Sequence, residues 1–169
     1  MRECNEAGLE IIKSFEGLED GDPKTTNLDP YLDPVGIWTI GWGHAIKWNG
    51  AFLRREGFKE FAHFLFPGGI TIEQAEALLK ADVYVACVSV SAWVRVPLTD
   101  NQFSALVSWE FNTGSLSKST LLQELNLKHY DAVPTEMKRW VKGTIKDKKV
   151  TLAGLVRRRE AEARLWASA

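Results

Sequence analysis

The sequence has few cysteines and no long apolar run, and each shortage excludes a class of protein. Two cysteines among 169 residues, with no Cys-x-x-Cys pair, are too few for a disulfide framework or a structural zinc site. No stretch approaches the roughly 20 apolar residues of a membrane span. The N-terminal residues carry acids where a signal peptide would be basic and then apolar. We therefore expect a protein made in the cytoplasm, without a signal peptide or stable membrane insertion.

A strong excess of one charge is also missing, since the net charge is −1 and the pI is near 6.3. Domains dedicated to nucleic acid usually have a pI above about 9, so no nucleic-acid partner is expected. The two halves of the chain nevertheless differ in net charge. Residues 1–84 carry 8 basic and 14 acidic side chains, whereas residues 85–169 carry 13 and 8. The basic half would attract an anionic polymer, although an ordinary solvated surface explains it equally well.

What is present indicates one globular domain of the α+β class, with 45% hydrophobic and 25% charged residues. Residues 31–44 mix β-branched and aromatic residues with Gly and Pro, which predicts one or two short strands. Elsewhere the apolar residues recur at helical spacing. Helices are predicted at 5–16, at 58–66, from 71 to beyond 86, from 99 to 114, and at 119–127, 133–141 and 152–167.

The candidate catalytic residues are Glu16, Asp33 and Thr39. Glu16 ends an apolar helix face, and low-dielectric surroundings favour a protonated carboxyl. Asp33 and Thr39 follow on the strand segment. A protonated acid beside an ionised carboxylate suits glycoside cleavage, in which one group protonates the leaving oxygen and the other directs water or attacks. From the residue types alone, a solvated surface pair remains the alternative.

The same residues resemble the phage lysozyme (endolysin) family of the T4 type, which has a Glu, then an Asp, then a Thr six residues after the Asp. Here Glu16 precedes Tyr31-Leu-Asp-Pro-Val-Gly-Ile-Trp-Thr-Ile-Gly-Trp-Gly-His44. Further blocks follow in family order at 70–82, 102–114 and 154–160. The resemblance therefore covers most of the chain.

This resemblance implies a single lysozyme-like domain over residues 1–169. A small β-rich lobe would span about 17–69, and a larger all-helical lobe would combine 1–16 with 70–169. The active-site cleft would lie between them. No metal and no cofactor are implied, and a monomer is expected.

The implied activity is that of a muramidase, which cleaves the β-1,4 bond between N-acetylmuramic acid and N-acetylglucosamine in peptidoglycan glycan strands. Glu16 would be the general acid, Asp33 the carboxylate that places water, and Thr39 the hydroxyl that orients it. Inversion is the expected stereochemistry. An endolysin of this kind would reach the wall through a membrane lesion, as made by a holin. The alternatives are a non-catalytic wall-binding domain and a lytic transglycosylase acting on the same bond.

Other residues receive structural or binding predictions from their position. His44 is expected to pair with Asp82 as a stabilising contact between the lobes rather than to act in catalysis. Asn112, Ser119 and Thr120 are candidate sugar ligands, with helix capping as the alternative, especially for Ser119. Of three consecutive arginines at 157–159, which fan around a helix, one, Arg157 or Arg158, is expected to reach the buried side.

Two segments depart from the family pattern. Asp33 lies 17 residues after Glu16, a longer gap than the family usually has, so residues 19–30 read as an inserted loop whose acids could be mistaken for catalytic ones. The aromatic-rich stretch 45–69 would either cover the small lobe, which is the favoured interpretation, or help to hold glycan.

Overall fold

The predicted helices and the predicted strands at 31–44 are present in a computed structural model, which describes residues 2–168. The helices are α1 Glu6–Glu16, α2 Lys59–Leu65, α3 Ile72–Trp93, α4 Asp100–Thr113, α5 Thr120–Asn126, α6 Val133–Lys138 and α7 Ala153–Ala167. The strands are β1 Tyr31–Leu32, β2 Trp38–Ile40, β3 His44–Ala45, β4 Lys47–Trp48, β5 Ala51–Phe52, β6 Lys142–Ile145 and β7 Lys148–Thr151.

Side-chain caps explain where the two longest helices of the middle region begin. At α3, Gln74 N donates to Thr71 Oγ1 over 3.2 Å while Thr71 N donates to Gln74 Oε1 over 2.8 Å. At α4, Thr99 and Gln102 form the same reciprocal pair. Each pair satisfies backbone N–H groups that a helix start otherwise leaves without partners. The capping signals in the sequence therefore predict both helix starts.

The chain divides into two compact units, one formed by residues 2–15 and 83–168 and the other by Glu16–Asp82. The division differs from the predicted one, because the smaller unit continues past residue 69 into α3. Ala75 is buried in the core of this unit and Leu78 packs against it. The first turns of α3 thus belong with the sheet that they cover.

The smaller unit is built on an antiparallel sheet with strand order β1-β2-β3. Trp38 and Ile40 of β2 are buried in a core that also contains Ile46 and Leu53. A second, two-stranded sheet pairs β4 with β5. The unit therefore places the three predicted catalytic residues on one small scaffold.

The larger unit has α4 at its centre, where seven consecutive residues from Phe103 to Trp109 are buried. It is not all helical, since β6 and β7 form a hairpin within residues 142–151 that the prediction missed. Lys146 and Asp147 make its two-residue turn, both with positive φ, at 46° and 64°. Such turns match the twist of paired strands, and β-branched residues flank this one.

Two of the three consecutive arginines are buried, where one was expected. Arg158 Nε lies 3.2 Å from Glu162 Oε1, and Arg159 Nη1 lies 3.1 Å from Glu162 Oε2. Ser108 also donates to Glu162 over 2.7 Å. Burial raises the pKa of Glu162 and lowers that of Arg159, so removal from water opposes the charge of both groups.

Candidate active site

A tight turn between β1 and β2 holds the Asp33 carboxylate. Gly36 N donates to Asp33 O over 2.9 Å, which closes the turn. The side-chain atom Asp33 Oδ1 accepts two further backbone hydrogen bonds, from Val35 N at 2.9 Å and from Ile37 N at 2.8 Å. The backbone therefore fixes the orientation of this carboxylate.

The strand register places Thr39 on the same face as Asp33. Tyr31 lies opposite Thr39 in the β1–β2 pair, and Asp33 N bonds Ile37 O over 2.9 Å one step further along. Because side chains alternate across a strand, Tyr31, Asp33 and Thr39 share one face of this hairpin. Thr39 is buried, and its hydroxyl donates to Ile37 O over 3.1 Å.

Glu16 lies at the C-terminal end of α1, where it is partly buried. The chain approaches its carboxylate closely at Gly43, just before β3. A Cβ placed on Gly43 would lie 3.6 Å from Glu16 Oε2, and the φ of Gly43 is 73°. Glycine adopts this left-handed conformation without the strain that a side chain would introduce.

Tyr31 lies near Asp33 and Glu16, although it was not predicted from the sequence as a site residue. Burial, as the largest cause, and the nearby carboxylates of Glu19, Asp33 and Glu16 together raise the pKa of Tyr31 to about 12. A hydrogen bond with the Gly43 backbone acts in the opposite direction. The Tyr31 phenol therefore lies among the carboxylates of the site and stays neutral at ordinary pH. Its position two residues before Asp33, on the same strand face, was the available signal.

Tyr31→Phe is expected to remove a tyrosine ionisation with a midpoint near pH 12, measured by phenolate absorbance. A group whose pKa is raised on folding stabilises the fold below its ordinary pKa of 10, and this contribution is lost as the pH rises toward 12. The unfolding free energy of the variant should accordingly change less between these two pH values. The control Tyr84→Phe, at an exposed position of α3, should keep the late ionisation. A titration of Tyr31→Phe that matches wild type would contradict the assignment.

Asp20 and Asp29, two acids of the loop 19–30, accept hydrogen bonds within that loop. Asp20 Oδ1 accepts hydrogen bonds from Asp22 N at 3.1 Å and Asp29 N at 3.0 Å. Asp29 is buried and accepts a hydrogen bond from Thr25 over 2.5 Å. These contacts give the two carboxylates a structural role in closing the loop.

His44 and Asp82 are brought together, as the sequence predicts, but within one unit rather than between two lobes. His44 Nδ1 lies 2.8 Å from Asp82 Oδ2, and both residues belong to the smaller unit. The contact therefore joins β3 to α3 within one unit. Its contribution to stability stays a prediction.

The three candidate sugar ligands lie in the larger unit and differ in their surroundings. Ser119 is buried, accepts from Leu122 N at 3.1 Å and donates to Leu116 O at 2.8 Å, so it caps α5. Asn112 is exposed, and its side-chain oxygen accepts a hydrogen bond from Arg159. Thr120 is exposed at the start of α5. Sugar binding by Asn112 and Thr120 stays a prediction.

Within residues 2–168, no group of three or more His, Cys, Asp or Glu side chains is arranged to hold a metal ion. Over the same residues, no helix is long and apolar enough to cross a membrane.

Comparison with known proteins identifies the family of the chain. A sequence profile described as phage lysozyme matches residues 13–162, which is most of the chain. The chain belongs to the phage lysozyme family. An endolysin of Acyrthosiphon pisum secondary endosymbiont phage 1 is 35% identical over 167 residues, covering 98% of this chain and 98% of the relative.

Solved structures of the phage lysozyme type show the same fold. An endolysin from Escherichia coli O157:H7 phage FAHEc1 has a TM-score of 0.76 and 36% identity, over 96% of this chain and 92% of that one. The muramidase domain of SpmX from Asticaccaulis excentricus has a TM-score of 0.74 and 31% identity, over 98% of both chains. Family membership makes this chain a lysozyme-type glycosidase with a lysozyme-like α+β fold.

Proposed function

We propose that this member of the phage lysozyme family hydrolyses the β-1,4 bond between N-acetylmuramic acid and N-acetylglucosamine in bacterial peptidoglycan, and thereby lyses the host cell. One observation carries the proposal. Asp33 and Thr39 share a strand face with Tyr31, whose electrostatic surroundings include Glu16. An acid, a carboxylate and a hydroxyl on one scaffold are the groups that glycoside hydrolysis needs.

Glu16 is the general acid in this proposal. Its carboxyl proton passes to the glycosidic oxygen as the bond to the anomeric carbon breaks, so the leaving sugar departs as a neutral alcohol. The sugar on the other side of the bond develops positive charge at the anomeric carbon. The ionised Asp33 carboxylate stabilises that charge electrostatically.

Asp33 and Thr39 together place the attacking water. The turn donors occupy Asp33 Oδ1, which leaves Oδ2 to take a proton from water. The Thr39 hydroxyl donates a hydrogen bond to Ile37 O, so its oxygen is free to accept a hydrogen bond from the other O–H of the water. The water oxygen then attacks the anomeric carbon directly, with inversion, and Asp33 receives the released proton.

We further propose that the protein functions as a monomer on glycan strands, is made in the host cytoplasm, and reaches the wall through a holin-type membrane lesion. Asn112 and Thr120 are proposed to contribute to glycan binding, whereas Ser119 is buried and caps α5, so its hydroxyl is not available to a glycan.

Mass analysis of the muropeptides released from purified peptidoglycan tests the reaction. Hydrolysis adds water, so the products should carry reducing N-acetylmuramic acid ends. Products with 1,6-anhydro ends lack that water and would identify a lytic transglycosylase instead. Absence of any released muropeptide, together with binding to the wall, would identify a non-catalytic wall-binding domain.

A further inference from the structure

Residues 47–64 of the smaller unit expose aromatic rings and basic side chains that the proposed reaction does not use. Phe64 is 73% exposed, and the exposure of the other three rings is 42% or more. We call this region the aromatic–basic surface. Its exposed rings and basic residues are Trp48, Phe52, Phe58, Phe64, Lys47, Arg54, Arg55 and Lys59.

The sequence favours a covering role for the stretch 45–69, and the structure shows that only part of the stretch covers the core of its unit. Ile46, Leu53 and Ala62 are buried in that core, and Phe61 packs against it. The exposed rings rest on this base. Trp48 meets Phe61 edge to face with 5.2 Å between ring centroids, and so ring contacts hold the exposed aromatic side chain in place.

The β4–β5 hairpin presents rings on both of its faces. Trp48 lies opposite Ala51, whereas Phe52 lies opposite Lys47, so the two rings point to opposite sides. Because both rings are about half exposed, the hairpin projects from the unit. A projecting element with apolar rings on each side fits a surface into which it can partly insert.

Charge is segregated within the smaller unit. Residues 16–82 carry 6 basic and 11 acidic side chains, and four of those basic residues lie at 47–59. Two acids, Glu56 and Glu60, lie within residues 47–64. Lys47 Nζ and the Arg54 guanidinium lie 4.7 Å and 5.8 Å from the centroid of the Phe52 ring. Two cations thus lie beside the Phe52 ring, and an anionic partner complements the basic residues of this stretch.

We propose that the aromatic–basic surface docks the protein on an anionic lipid bilayer. The rings enter the boundary between headgroups and acyl chains, and the basic side chains contact the lipid phosphates. A sugar site would bury most of its ligand in a concave pocket with both donors and acceptors. Here the rings of Trp48 and Phe52 project from opposite faces of a hairpin instead of lining a pocket, so a bilayer fits better.

Sedimentation with lipid vesicles tests the proposal on the full chain. Wild type should bind vesicles of mixed phosphatidylglycerol and phosphatidylcholine, bind pure phosphatidylcholine weakly, and release as salt increases. Lys59→Gln should weaken binding about fivefold, since a basic residue near an anionic membrane contributes about 1 kcal/mol. Phe64→Ser should weaken it about tenfold through lost apolar burial.

Matched controls separate this surface from general effects. Lys24→Gln removes the same charge from the exposed part of loop 19–30, and Leu127→Ser removes a 65% exposed apolar residue from the larger unit. Both controls should bind vesicles like wild type. Equal losses in controls and surface variants, or no binding to anionic vesicles, would overturn the proposal. Loss of binding to purified peptidoglycan in Phe64→Ser, without vesicle binding by wild type, would assign the surface to glycan instead.

Docking is independent of the proposed reaction. Glu16→Gln should therefore bind vesicles like wild type even where it releases no muropeptide. An enzyme that hydrolyses peptidoglycan without binding vesicles would refute docking alone, and one that binds vesicles without hydrolysis would refute the reaction alone.

Discussion

Glu16→Gln is expected to reduce the rate of peptidoglycan hydrolysis by about 10²–10⁴-fold, the usual contribution of a general acid. Glutamine keeps the shape of the side chain but has no acidic proton to give to the glycosidic oxygen. Release of muropeptides from purified peptidoglycan measures the loss, and a thermal melt of the same sample checks that the variant folds. Muropeptide release at the wild-type rate would show that Glu16 is not the general acid.

Glu19→Gln is the matched control for this change. Glu19 is exposed, lies three residues after Glu16 and also contributes to the raised pKa of Tyr31. The substitution makes the same Glu-to-Gln change in the same neighbourhood, at a residue that has no assigned role in the reaction. Activity should stay within a few-fold of wild type. A loss equal to that of Glu16→Gln would mean that local charge, rather than proton donation, governs the rate.

Asp33→Asn is expected to reduce the hydrolysis rate by a similar factor, about 10²–10⁴-fold, because the amide cannot accept a proton from water. The turn itself should survive. An asparagine oxygen can still accept the hydrogen bonds that Val35 N and Ile37 N now donate to Oδ1. The variant should therefore fold normally while losing turnover, as measured by circular dichroism alongside muropeptide release.

Asp22→Asn supplies the comparison for Asp33→Asn. Asp22 Oδ1 accepts a hydrogen bond from Lys24 N at 3.1 Å, just as Asp33 Oδ1 accepts one from the residue two places on. The two substitutions thus alter the same kind of turn contact, and only one lies on the face that carries Thr39. Asp22→Asn should remain active. If Asp33→Asn also keeps its activity, the carboxylate does not place the water, and a transglycosylase reaction gains support.

Local signals made most of the elements predictable. The reciprocal caps at Thr71 and Thr99 predicted the starts of α3 and α4, and Gly114, with φ at 57°, ends α4. These contacts connect residues close in sequence, so the local sequence pattern is enough to predict where these helices begin and end. The β6–β7 hairpin escaped prediction because its turn uses Lys146 and Asp147 rather than the usual glycine.

The site shows the same difference between local and distant contacts. The spacing of Asp33 and Thr39 on a strand segment predicted a shared face, since alternation along a strand is a local property. The approach of Gly43 to Glu16, and the position of Tyr31 among three carboxylates, depend on chain segments that pair across turns. Such contacts follow from strand register and packing, which residue spacing does not specify.

From the shortage of cysteines and of long apolar runs we expect neither a disulfide framework nor a membrane span, and the order of Glu16, Asp33 and Thr39 indicated the family. These conclusions follow from composition and from spacing along the chain. Tertiary structure alone decided which arginines are buried with Glu162, which phenol joins the site, and which rings of 47–64 remain exposed. The physical reason is that burial and electrostatic surroundings arise from groups distant in sequence that folding brings together.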